Sequence, residues 1–244
     1  MLKKAVALLL ALVLALSLAA CGGKSAPVED KTPTQSGEST ENTGDSQETQ
    51  TPNDAQSSED AQDPEFHRGT VEGSTYTSDF FGLMLTLDDN WIIANDEQLA
   101  QLGGLVADTF DDETFKKQME GGSTVYDLYC LNQTDNSSIN ITVQDLGSLG
   151  GIMMNEETYA DASLKGLPEV LASAGINVDN LEKTTLDFAG SSRTALKLDG
   201  TTGDVSLYET MVFVKNGSYI ACITAASYDE AVSPADLLAL FRAL

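Results

Sequence analysis

Hydrophobic and polar positions divide the chain into three stretches. Residues 5–16 are apolar without a break. From Gly22 to about residue 70 the large apolar side chains are Val28 and Phe66. From Val71 to Leu244 apolar and polar residues interleave as in a folded domain. The interleaving predicts strands at Thr75 to Ser78 and Leu83 to Leu87, then at Trp91-Ile92-Ile93 after the turn Asp88-Asp89-Asn90. Asn95, followed by Asp96 and Glu97, predicts a helix start, because an Asn side chain caps free amides and early acids suit the helix dipole. That helix stops at Gly103-Gly104, and a second is expected from about Asp111 to Glu120. Strands follow at Val125 to Leu131 and Ser138 to Leu146. Glu156 to Ala174 then carries Tyr159, Ser163, Leu167, Val170, Leu171 and Ala174 at helical spacing. Pro168 inside it predicts a kink or two abutting helices. Strands near Asn177 to Phe188, Ser191 to Leu198 and Val205 to Lys215 come next, and Asn216-Gly217 predicts a tight hairpin into Tyr219 to Ala225. Ser233-Pro234 opens a last helix with Leu237, Leu238, Phe241 and Leu244 on one side.

The strands are not alike. Ser138 to Leu146 alternates, with Ile139, Ile141 and Val143 facing in and Asn140, Thr142 and Gln144 facing out. Tyr126 to Leu131, Leu207 to Val214 and Tyr219 to Ile223 are apolar on both faces, so they need cover above and below. The pattern predicts an α+β fold: an α/β/α sandwich with a mainly antiparallel central sheet. Residues 71–244 form this single domain, residues 1–20 a leader and residues 21–70 a tether.

Lys3 and Lys4 precede the apolar run, which passes through Ser17 into Leu18-Ala19-Ala20-Cys21. A run of that length with positive flanks reads as a signal peptide. Leu-Ala-Ala-Cys, followed by Gly22-Gly23, resembles the lipobox of bacterial lipoproteins. The resemblance implies diacylglyceryl transfer to the Cys21 sulfur, cleavage before it, and an anchor on the extracytoplasmic face of the cell membrane. Two acyl chains suffice for a stable anchor where one holds only marginally. The tether is too polar to offset its ordering entropy. Its typical end-to-end distance is roughly 35–40 Å, and full extension gives about 160–175 Å.

Tyr76, Phe81-Gly82-Leu83-Met84-Leu85-Thr86-Leu87 and Asp89-Asn90-Trp91 resemble the opening of PsbP-like domains. Those begin with an aromatic-Gly-hydrophobic strand, a short turn and a Trp, although Asp89 stands where a Pro is common. A long central helix, late meandering strands and a terminal helix on the sheet also fit. The resemblance implies a PsbP-like α/β/α fold used for binding, without a particular ligand.

The formal net charge is −25. Phosphate binding needs Lys and Arg to displace counterions, so nucleic acid is excluded as a partner. An envelope protein or a cationic peptide fits the charge better. The single histidine, His67, stands at the tether boundary, which leaves Ser-His, Cys-His and His-based zinc schemes without a positioned base. Ser163 and Lys165 are two apart on a helix and point in different directions. Asp88-Asp89, Asp111-Asp112 and Glu156-Glu157 sit at turns and helix starts, where adjacent acids serve as caps more often than as glycosidase pairs. Asp199 to Asp204 and Asp108 to Glu113 are acidic but lack the alternate spacing of a calcium loop. Neither a metal site nor a cofactor is expected. Cys130 and Cys222 fall in central strands, where a disulfide and buried free thiols fit equally. Trp91 is the candidate ligand contact. The reading is a membrane-tethered, non-catalytic binding or interaction module, with a carboxylate-dependent envelope hydrolase as the alternative.

Overall fold

The computed structural model describes residues 64–103, 112–120 and 124–244. The leader, Cys21 and the tether as far as Asp63 lie outside the described residues, as do Gly104 to Asp111. In chain order the elements are β1 (Thr70–Glu72), β2 (Thr75–Ser78), β3 (Leu83–Thr86), β4 (Trp91–Ile93), α1 (Asp96–Leu102) and α2 (Asp112–Glu120). Then come β5 (Val125–Asn132), β6 (Ser138–Asp145), α3 (Gly147–Met153) and α4 (Glu156–Ser173). The chain closes with β7 (Ile176–Phe188), β8 (Ser191–Thr202), β9 (Val205–Asn216), β10 (Tyr219–Ser227), α5 (Pro234–Leu238) and β11 (Phe241–Ala243).

The strands make two antiparallel sheets, one of seven strands ordered β4-β5-β6-β10-β9-β8-β7 and one of four ordered β1-β2-β3-β11. The fold is α+β, as the patterning requires. One face of the large sheet packs Leu196, Leu198, Leu207, Met211, Phe213 and Ile220 against Tyr159, Ala160, Leu167 and Leu171 of α4. Each buried Leu, Ile, Met or Phe among them contributes about 1.5–3 kcal/mol. The other face packs Val125, Leu128, Ile139, Ile141, Val143, Val212, Val214 and Ile223 against the small sheet, α2 and α5. That second cover is shared between a sheet and two helices.

Local chemistry explains the starts of α1 and α4. Asn95 caps α1 by accepting from the Gln98 N–H at 3.0 Å while the Asn95 N–H donates back to Gln98 Oε1 at 3.0 Å. Asn155 and Thr158 build the same reciprocal cap on α4. That helix runs unbroken through Pro168 from Glu156 to Ser173, so it is one element where two abutting ones were an option.

Five features depart from the pattern. Phe66 is buried in a ring cluster with Phe80, Phe81, Phe115 and Tyr219, so the fold begins before Val71. Asn140, Thr142 and Gln144 are buried, not wet; the Tyr159 hydroxyl of α4 donates to Gln144 Oε1 at 2.8 Å, bringing the helix layer over them. A short helix, α3, follows β6 where no element was expected. The last helix stops at Leu238, and Phe241 instead lies opposite Leu85 on β3, while Leu244 is exposed. In the β9–β10 hairpin the loop residues are Gly217 and Ser218, one position later than Asn216-Gly217. Asn216 pairs with Tyr219 and donates through Nδ2 to the Phe80 carbonyl at 2.7 Å.

Candidate functional site

Trp91 lines an open groove of about 860 Å³ where an edge of each sheet comes together. Thr70 and Val71 of β1 form one wall. Trp91 and Ile93 of β4, with Asn95 and Asp96 at the start of α1, form the other. Asp88 and Asp89 of the β3–β4 turn sit at the rim. The indole is half-buried and packs on the core between the sheets, so it has both a structural and an exposed side. Gln133 donates to the Asn90 carbonyl and Ala94 to that of Tyr129, so residues 90, 92 and 94 bond toward β5. Antiparallel alternation then turns the N–H and C=O of Ile93 to the open edge, where an added strand would find them.

The floor is an ordered polar network. Asp127 occupies a bulge between Tyr126 and Leu128, and its side chain is 1% accessible. It accepts from the Gly69 N–H at 3.2 Å and from the Tyr76 hydroxyl at 2.6 Å. The Arg68 guanidinium lies 3.7 Å from Asp127, donates to Asp96 at 2.9 Å and stacks 5.3 Å from the Phe115 ring centre. Burial, then the neighbouring Asp127 carboxylate, push the Tyr76 hydroxyl well above its ordinary value. Gly69 is required here, since a methyl at this position would overlap the Tyr76 ring. Asp127 is therefore tied into the floor by these contacts, while Asp88 and Asp89 are exposed and leave the groove mouth negative.

The other sequence candidates are dispersed. His67 is exposed beside Phe80. Glu156 pairs with Arg193 at 2.6 Å and accepts from the Lys215 N–H, while Glu157 pairs with Lys183. Ser163 is buried against the sheet and Lys165 is exposed. Asp199 pairs with Lys197 at 3.4 Å. Among the described residues no group of three or more His, Cys, Asp or Glu converges as a metal site. Cys130 and Cys222 are free thiols in different core clusters. They belong to β5 and β10, which β6 separates, so the sheet keeps them apart.

Two acids escaped the reading. Asp127 and Glu209 each interrupt an apolar strand, and a lone acid in such a run is a visible signal of a buried carboxyl. Glu209 is fully buried on β9, its Oε2 has no hydrogen-bond partner, and burial pushes its pKa up to about 8. It stands apart from the Trp91 groove, between Leu198 and Ala226 on the neighbouring strands.

No protein-family model matches the chain, and none of the curated proteins does. The structure is similar to the crystal structure of LpqN, involved in cell envelope biogenesis of Mycobacterium tuberculosis, with a TM-score of 0.34 and 10% sequence identity over 66% of this chain and 82% of that one. A likeness this distant assigns no family and transfers no residue role.

Proposed function

We propose that this is an extracytoplasmic lipoprotein, held to the membrane through lipid on Cys21, whose domain is a non-catalytic binding module. Its groove takes a cationic segment of an envelope protein. The observation that carries the second part is the coincidence, in one groove, of two sheet edges, the Trp91 indole and the exposed carboxylates of Asp88 and Asp89. An extended segment can add backbone bonds at an edge while its basic side chains meet the acids. The lipobox residues support the tether. Among the described residues no helix is long and apolar enough to cross a membrane.

Trp91 is the chain's single tryptophan, so its emission reports directly on the groove. Titration with a lysine-rich peptide is expected to shift that emission, and an aspartate-rich peptide of equal length is not. The double substitution Asp88→Asn with Asp89→Asn removes two exposed charges and weakens the response by about fivefold at low salt. Emission unchanged by either peptide would remove the groove from the account. Mass spectrometry of the mature N-terminus tests the anchor independently. The rival reading, a carboxylate-dependent hydrolase, requires two facing acids about 5–9.5 Å apart and predicts turnover of a wall glycan that Asp89→Asn abolishes.

A further inference from the structure

We infer that α3 is a membrane-contacting element, its apolar face resting in the lipid bilayer to which Cys21 is anchored. Leu149, Ile152 and Met153 are 71%, 85% and 70% exposed, the three most exposed large apolar side chains among the described residues. They share one short helix, and residues 146–155 carry no charge. Scattered apolar residues are ordinary on a surface, but a cluster confined to one element marks a contact.

The position of α3 selects the occupant. Leu146 donates to the Ser218 carbonyl at 2.9 Å, and a methyl on Gly151 would lie 2.9 Å from the Ser218 Cα, so the helix is seated on the β9–β10 hairpin. Phe66 packs on the next residue, Tyr219, with ring centres 5.0 Å apart. The chain arriving from Cys21 therefore joins the fold at the end of the sheet that carries α3. The tether's typical reach of roughly 35–40 Å brings this end within range of the bilayer. Of the acids flanking α3, Glu156 is paired with Arg193 and Asp145 is turned onto the Gly147 N–H at 2.7 Å, which lowers the local repulsion from a lipid surface.

The inference rests on the lipid anchor, and the experiment separates the two. The mature lipoprotein carrying Ile152→Cys is labelled there with an environment-sensitive fluorophore and reconstituted into phosphatidylcholine vesicles. A label at Asp204→Cys, in the β8–β9 turn at the opposite end of the sheet, is the control. The label at 152 is expected to emit toward the blue and to be quenched by doxyl lipids about threefold more than the label at 204, as for a helix in the interface plane. Equal, water-like emission at both sites on protein that survives a carbonate wash overturns the α3 contact and leaves the anchor standing. Protein that washes off overturns the anchor and the inference together. A blue shift that disappears when protein is diluted among vesicles assigns the face to a second copy and also overturns it.

Discussion

Glu209 shows how one buried carboxyl sets a pH dependence. Alternation along β9 places it on the face of Leu207 and Met211, under the α4 layer, and no hydrogen bond stabilises its charged form. The folded chain holds this proton to about pH 8, whereas an ordinary carboxyl releases it near 4.5. The folded state thus binds more protons than the unfolded state across that window, and stability falls as pH rises through it. The slope approaches about 1.4 kcal/mol per pH unit for one proton. Urea midpoints between pH 5 and 8 are expected to decline, and Glu209→Leu to flatten the decline and raise stability at pH 8. A wild-type profile already flat over this range would show that the carboxyl finds a partner in solution. Gly69 makes a complementary case. Gly69→Ala forces a methyl into the Tyr76 ring, displaces the Gly69 N–H from Asp127 and costs about 1–3 kcal/mol by urea denaturation.

Among the elements, β11 is the one the periodicity misassigns. Leu237, Leu238 and Phe241 recur at helical spacing, and nothing local distinguishes a long helix from a short one followed by a strand. The difference is made elsewhere: β3 has an edge to fill, and Phe241 opposite Leu85 fills it while burying its ring against Phe188. Phe241→Ala removes that anchor and is expected to cost about 3–5 kcal/mol. Hydrogen exchange should then show lost protection at Met84, the β3 amide that alternation turns toward Arg242 of β11, with β9 and β10 unaffected. Loss confined to residues 241–244 would mean that β11 is not needed to hold the small sheet. The helix α3 was hidden for a different reason. Gly147, Gly150 and Gly151 give no helical signal, and the close approach of Gly151 to Ser218 shows why a small residue is needed there.

Across the whole molecule, the large sheet acts as a partition. It places Cys130 in the core under the small sheet and half-buried Cys222 against the core under α4, and desolvation raises both thiols to about 12. Neither thiol is ionised at pH 8, so both should react slowly with a disulfide reagent in the native protein, and in urea a chain whose Cys21 sulfur carries lipid should release two equivalents. A fast native phase would place one thiol at the surface. The same partition separates the two cover layers, which is why strands buried on both faces were legible as central before any pairing was known.

What the residues declare by themselves is whatever depends on neighbours in sequence. The apolar run before Cys21, the polar stretch after it, the caps at Asn95 and Asn155, and the two-sided strands β5, β9 and β10 all follow from local composition and period. Trp91 could be picked out as an aromatic beside a turn, but not the groove around it. That groove needs β1 beside β4, Gly69 against Tyr76 and Asp127 tucked into a bulge, contacts that span dozens of residues. Side-chain period tells which face of an element is buried; only packing decides what lies against it, and the groove and the exposed face of α3 are both products of packing.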